Sequence, residues 1–440
     1  MVTLADLLVK RLGDCTFDSP LAEYLGARAT NEYYVSEEDR ILFDDTVTLI
    51  GRYGDLPLTE LPSLEPGGAR RKLFFEPGVT KAAIVTCGGL CPGLNDVIRS
   101  LTLELWDHYA VTDITGFRNG YAGLVPGAGP DPIALTPTVV RSISERGGTI
   151  LGSSRGGQDV AVMVDTLVAR DISILFVVGG DGSMRGAHAI SLEIEKRGLA
   201  ISVVGVPKTI DNDIPFIGTS FGFQTAFSKA AESIKAARVE CDAAIGGVGV
   251  VKVMGREAGF IACYSALANH DADFVLIPEV EFQLEGENGL LASLLRCVEE
   301  NGSAVIVLAE GAGQDLIPAS RRTDASGNTV LGDFSSYLRG RIARHFKDHG
   351  QPLTLRYFDP GYIIRSVPAD AADAVYCTRL AQMAVHAAMA GRTDMVVGRR
   401  RHRFVHVPIE IVTHNTARVN PDGDMWLAVL ESSGQPLTMT

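Results

Sequence analysis

From Lys81 onward, short apolar runs alternate with amphipathic segments, and no other property of the chain restricts its fold so tightly. AAIVTC (82–87) precedes LNDVIRSLTLELW (94–106), ISILFVV (172–178) precedes MRGAHAISLEIEKRG (184–198), and ISVVGV (201–206) precedes FQTAFSKAAESIKAA (223–237). Strands alternating with helices imply a parallel sheet wound on both faces. The pattern continues through VGVVKVM (248–254), ADFVLIP (272–278), AVIVLAE (304–310) and LTLRYF (353–358). That is more strands than one lobe needs, and 440 residues exceed one ordinary core. The fold expected is α/β, with two doubly wound lobes.

The turns after these strands carry the chemistry. GG, GGDG, PKTIDND, MGR, PE, EGAG and DPGY all follow strand C-terminal ends, where open α/β sheets bind ligands. Residues 1–78, with five prolines and a Gly-Gly at 67–68, read as an N-terminal extension without clear periodicity, and TDASGN (323–328) reads as a turn.

Composition narrows the partners. A net charge of −13 opposes nonspecific binding to nucleic acid and to anionic membranes. No apolar run reaches the roughly 18 residues of a membrane span. The first residues, MVTLADLLVKRLGD, lack the apolar region of a signal peptide, and seven scattered Cys show no Cys-x-x-Cys spacing. A reducing cytoplasm is expected.

CGGLCPGLNDVIR (87–99) joins a strand to a helix, with glycines that let backbone N–H groups approach a phosphate. It matches neither the dinucleotide nor the P-loop fingerprint, and a plain tight turn explains it about as well. In VVGGDGSMRGA (177–187), Gly180 and Gly182 leave space, Asp181 offers a magnesium ligand or else is a plain turn residue, and Ser183 is placed to cap a helix starting near Met184. In PKTIDNDIP (207–215), Asp211 and Asp213 share a face if the segment is extended, one as base and one as organiser; an Asx-rich turn is the alternative. Arg256, Arg356, Tyr362 and Arg365 are placed to bind a second phosphate in a protein otherwise acidic. His345 and His349 lack the Glu of a HExxH site and read as a solvated helix face. His402 and His406, among Arg399, Arg400, Arg401 and Arg403, form a basic patch open either to an anion or to solvent alone.

Taken together these stretches resemble the phosphofructokinase family from about residue 70 to 430. TCGGLCPGLN, RGGTILGSSRGG (146–157), GGDGS, PKTIDNDI, VKVMGR, LAEGAG and DPGYIIR stand in the family's order. The branch it looks most like is the longer ATP-dependent group of plants and trypanosomatids, which is close in sequence to pyrophosphate-dependent members. The resemblance implies two Rossmann-like lobes with the active site between them: residues 79–208 for nucleotide, 209–390 for sugar phosphate, and 391–440 returning to the lobes. It implies Asp211 as the base for the 1-hydroxyl of fructose 6-phosphate, with Thr209 and Asp213 nearby. Met254, Gly255, Arg256 and Glu310 would line the sugar, and Arg356, Tyr362 and Arg365 would receive its 6-phosphate. Gly89, Tyr121, Arg155 and Gly180 to Ser183 would hold the nucleotide, with Asp181 on Mg2+. Arg155 and Lys208 are the cations for the transferring group.

The resemblance also implies a homo-oligomer, tetramer or dimer. Two positions depart from many short bacterial members: Gly247 stands where they carry a substrate Arg, and Tyr362 where they carry His. For the donor, Gly182 favours ATP, because pyrophosphate-dependent members usually carry Asp there. Lys208 is shared with those members and is compatible with either donor. A pyrophosphate-dependent enzyme and a noncatalytic sugar-phosphate-binding paralogue remain the alternatives.

Overall fold

The computed structural model describes residues 3–26, 33–52, 54, 56–318, 322–323 and 329–439. The turn expected at 323–328 lies outside them beyond its first residue. The chain divides into two compact units. One comprises Met1–Thr209, Ile214–Gly222 and Pro368–Asn415; the other comprises Ile210–Asp213, Phe223–Val367 and Thr416–Thr440.

The first unit is built on a sheet of β1 (Ile41–Leu42), β2 (Ser63–Pro66), β3 (Lys81–Thr86), β4 (Asp113–Phe117), β5 (Ile133–Ala134), β6 (Ile174–Gly179), β7 (Ser202–Pro207), β12 (Met395–Arg400) and β13 (Arg403–Pro408). Its order is β1-β2-β13-β12-β7-β6-β3-β4-β5. The run β12-β7-β6-β3-β4 is parallel, and the strands at both margins are antiparallel. Every residue of β6 and β7 is buried, which is why they read as unbroken apolar runs. Helices α1 (Leu94–Tyr109) and α2 (Asp181–Lys196) follow β3 and β6. Val85, Leu175, Val177, Ile190 and Val203 belong to one apolar core.

The second unit has a smaller, wholly parallel sheet. Its strands are β8 (Gly247–Val253), β9 (Phe274–Leu276), β10 (Ser303–Ala309) and β11 (Thr354–Phe358), in the order β9-β10-β8-β11. Helices α3 (Phe223–Asp242), α4 (Phe260–Asn269), α5 (Leu290–Asn301), α6 (Phe334–Asp348) and α7 (Gly361–Ser366) accompany it. Its core gathers Val250, Leu276, Leu294, Ile306 and Phe346. Gly247, the first departure, has a packing reason: a Cβ there would stand 2.1 Å from the Cys241 carbonyl oxygen. An Arg cannot occupy that position without moving the α3–β8 turn.

Several expectations need correction. The boundary at 390 puts helix α8 (Ala371–Met389) in the sugar lobe, but α8 belongs to the first unit. It packs along α1, with Ser100 Oγ 3.2 Å from Thr378 Oγ1 and the Tyr109 hydroxyl 2.7 Å from His386 Nδ1. Residues 391–440 do go to both units, 391–415 to the first and 416–440 to the second. Nor are residues 1–78 a mere extension, because β1 and β2 continue the main sheet beyond β13. His406 is not part of a surface patch. It lies on β13, fully buried, beside a network in which Arg70 and Arg392 each donate to Glu65 at 2.9 Å. His345 and His349 close α6, the His349 ring nitrogen lying 2.8 Å from the His345 carbonyl oxygen.

Candidate active site

Three glycine-rich or acidic turns leave adjacent parallel strands β7, β6 and β3 of the first unit. The register aligns Pro207 with Gly179 and Thr86 with Val178, so all three turns start at one edge of the sheet. Gly180 adopts an extended conformation and its carbonyl accepts the first bonds of α2, from the Ser183 and Met184 N–H groups at 2.9 Å. The helix therefore starts at Asp181. Ser183 is buried in the first turn and does not cap it, contrary to the expectation. A 16-residue helix directs its N-terminal dipole towards this edge.

The neighbouring loop is fixed to the same edge by side chains. Lys208, 6% exposed, donates from Nζ to the Gly89 carbonyl at 2.6 Å. Gly88 N–H donates to Ser154 and Ser153 Oγ donates back to Gly88 O at 2.5 Å. Asn95 holds the preceding turn of that loop, accepting from Ile150 N–H and donating to Arg146 O. Together these bonds deliver Arg155 to the turn: a Cβ on Gly89 would lie 3.5 Å from its guanidinium. Arg155 and Lys208 thus both lie at Gly89. Ser153 and Asn95 were missed. Their signal was their place within motifs already quoted, SSR and GLN, but a hydroxyl or amide in a loop does not announce its bond.

Two residues expected to hold the nucleotide have partners within the protein. Tyr121 is 7% exposed, and its hydroxyl donates to the Ser183 carbonyl at 2.5 Å. Burial pushes its hydroxyl well above the usual tyrosine range. It braces α2 from within the core, against Gly186. Asp181 stands at the open end of α2 but is ion-paired with Arg185 one turn on, both side chains about half exposed. Gly182 is different from its neighbours: an added Cβ would have the Arg185 guanidinium at 3.8 Å as its nearest neighbour. The protein's own packing does not demand glycine there.

Residues 208–215 do not form the extended segment on which a shared face for Asp211 and Asp213 depends. Asn212 has φ 56°, and 210–211 bend. A left-handed residue between them rotates one carboxylate away from the other. Asp213 is tied through its carbonyl to Ala417 N–H at 2.7 Å, and Thr209 through its carbonyl to Ser220 Oγ at 2.6 Å.

In the second unit the turns follow β8, β10 and β11. MGR and EGAG are pressed together: Gly311 N–H donates to Gly255 O at 3.0 Å, and a Cβ on Gly311 would overlap the Arg256 carbonyl at 1.9 Å. Only glycine permits that approach, and it sets Arg256 and Glu310 on neighbouring turns. Met254 is half-buried beside them, and the Arg256 guanidinium donates to the Thr329 carbonyl. Glu310 is half-buried; burial lifts its carboxyl above the ordinary value, opposed by Lys252, Arg256 and Arg365 and reinforced by Asp359. Arg365 lies over the Tyr362 ring at 4.5 Å, and Tyr362 is 76% exposed. Arg356 projects from β11 towards Glu240, at 3.8 Å. The PE turn is structural, since Glu279 accepts the Gly259 and Val419 N–H groups.

Among the described residues no group of three His, Cys, Asp or Glu side chains is arranged to hold a metal. One carboxylate in the first turn of a helix, Asp181, fits magnesium, which keeps most of its waters and takes further oxygens from a phosphate ligand.

Turns of this kind at the carboxyl edges of two doubly wound sheets define a phosphate-handling α/β protein. Residues 81–388 match the family model described as Phosphofructokinase. An ATP-dependent 6-phosphofructokinase of Amycolatopsis methanolica is 54% identical, covering 98% of this chain and 95% of the relative. The one from Borreliella burgdorferi is 45% identical over 99% and 98%, and ATP-dependent 6-phosphofructokinase 7 of Arabidopsis thaliana is 44% identical over 96% and 85%. A solved pyrophosphate-dependent phosphofructokinase from Marinobacter aquaeolei shares the fold, with TM-score 0.67 and 21% identity over 80% of this chain and 91% of that one. The chain belongs to the phosphofructokinase family.

Proposed function

We propose that the chain is an ATP-dependent 6-phosphofructokinase, transferring the γ-phosphoryl group of ATP to the 1-hydroxyl of fructose 6-phosphate to give fructose 1,6-bisphosphate and ADP in glycolysis. Asp211 takes the hydroxyl proton, which makes the oxygen a better nucleophile. Thr209 and Asp213 flank it on the same segment. Transfer of a phosphoryl group asks mainly for alignment and charge stabilisation, and Arg155 and Lys208 supply cations at the Gly89 turn. The N-terminus of α2, with Gly180 to Ser183, receives the polyphosphate. Mg2+ held by Asp181 would neutralise phosphate charge; Arg185 has to yield that carboxylate. Arg256, Arg356, Arg365 and Tyr362 receive the 6-phosphate, and Glu310 accepts bonds from the sugar hydroxyls.

The observation that carries the choice of donor is the open space at Gly182. An Asp side chain there would project a second negative charge beside Asp181, where a nucleotide's phosphates approach. Lys208 is compatible with either donor, since an ammonium that donates to Gly89 O keeps its charge and further N–H groups for a phosphoryl group. Assay of fructose 6-phosphate with ATP and with pyrophosphate tests the reading. Turnover with ATP is expected; turnover with pyrophosphate alone would overturn it, and binding without turnover would favour the noncatalytic paralogue.

A homo-oligomer, dimer or tetramer, is part of the same reading. The exposed Tyr362 and Ile363 of α7 support it, and light scattering of the purified protein checks it. A cytoplasmic setting agrees with seven free cysteines, and among the described residues no helix is long and apolar enough to cross a membrane.

A further inference from the structure

We infer that Lys252 is a positioning residue of the sugar-phosphate half-site, a central cation that holds the carboxylates of Glu310 and Asp359 in one working arrangement. The inference rests on the reading of Glu310 as a sugar ligand. Its basis is the strand order. β8 is flanked by β10 on one side and β11 on the other, and Lys252 is paired in register with Leu308 of β10. Glu310 follows β10 directly, and Asp359 follows β11 directly, after Phe358, which is paired with Val251. The ammonium of Lys252 lies 3.0 Å from the Asp359 carboxylate and also acts on Glu310. One side chain on the middle strand therefore serves an acid from each neighbour.

Asp359 in turn accepts the Gly361 N–H at 3.2 Å, which starts α7, the helix that carries Tyr362 and Arg365. The Tyr357 hydroxyl donates to the same carboxylate at 3.2 Å. Lys252 thus connects the hydroxyl-binding acid to the helix bearing the phosphate-binding Arg. Other charged groups face this cluster: Arg256 beyond β8, Arg365 on α7, and Asp333 and Arg339 at the start of α6. Without Lys252, Glu310 and Asp359 oppose each other, and Arg256 and Arg365 are left to offset Glu310. Glu310 then takes up a proton more readily, since burial already raises its carboxyl and Lys252 is the largest opposing influence.

The test is the pH dependence of kcat/KM for fructose 6-phosphate in wild type, Lys252→Met, Lys252→Arg, Glu310→Gln and the Lys252→Met/Glu310→Gln double variant. Lys252→Met is expected to raise KM for fructose 6-phosphate by about tenfold at pH 7, with kcat within about twofold and KM for ATP unchanged. Its acid limb should move up by roughly one pH unit, and Lys252→Arg should restore it. The substrate's own phosphate titration is common to all variants, so the shift is read against wild type. In the Glu310→Gln background, Lys252→Met should cause no further shift. An unshifted limb in Lys252→Met, or an equal shift in both backgrounds, overturns the positioning role while leaving the sugar-site reading intact. If Glu310→Gln alone changes neither KM nor the profile, the sugar-site reading itself fails, and the inference with it. Lys252→Gln serves as the second variant if the Met variant is poorly folded by circular dichroism.

Discussion

The two units fix the turns at the carboxyl edges of their parallel sheets with different materials. The first uses main chain: glycines, a helix N-terminus and carbonyls pinned by Lys208, Ser153 and Asn95. The second uses charged side chains arrayed around a cation, Lys252 with Asp359, Glu310, Arg256 and Arg365. The main-chain site should be sensitive to added atoms and indifferent to pH. The side-chain site should tolerate small changes of shape and respond to charge.

The largest effect is expected at the proposed base. Asp211→Ala should lower kcat by about 10³-fold with fructose 6-phosphate binding largely kept, as measured by steady-state kinetics and calorimetry. Full turnover would remove Asp211 as the base. Next, Gly182→Asp should cut kcat/KM for ATP by about 100-fold and spare KM for fructose 6-phosphate. Gly182→Ala sharpens the contrast, because alanine suits a helix better than glycine by up to about 1 kcal/mol. That variant should melt no lower than wild type while its KM for ATP rises several-fold. A fall in melting temperature would mean that Gly182 serves the fold after all.

Lys208→Met removes the bond to Gly89. Hydrogen bonds to charged groups contribute about 1.5–3 kcal/mol, so a comparable loss in urea denaturation is expected together with weaker ATP binding. The smallest effect concerns the interior of the first unit. Burial, chiefly, holds His386 down at about 3, so the folded chain keeps it neutral where the unfolded chain, near 6.5, takes a proton. Its contribution is complete above pH 6.5 and is lost as pH falls towards 3, at up to about 1.4 kcal/mol per unit. His386→Gln should flatten that part of the stability profile in urea titrations at pH 7, 6 and 5.

The strands and their turns were legible because a buried parallel strand leaves an unbroken apolar run, and a ligand-facing turn leaves glycine and acid after it. The unit boundaries were not. Helix α8 is Ala-rich and buried on all sides from Met383 to Met389, and nothing in residues 371–389 says that its partner is α1, some 280 residues earlier. The start of α2 was misplaced by two residues because Ser183 has the right chemistry for a cap, whereas Gly180 supplies the conformation. Asn212 hides in the same way: its left-handed backbone is a property that Asn tolerates and does not advertise. Tyr121 and His406 misled for a common reason, since a polar aromatic side chain beside a motif reads alike whether it faces a ligand or closes the core.

The chain crosses between its two units five times, at 209/210, 213/214, 222/223, 367/368 and 415/416. Neither unit is therefore a continuous stretch of its gene. No single cut separates the two units, and exchange of a terminal module with another protein would strip strands from one unit while orphaning helices of the other. The two halves of this catalyst can be altered residue by residue, but they have to be inherited together.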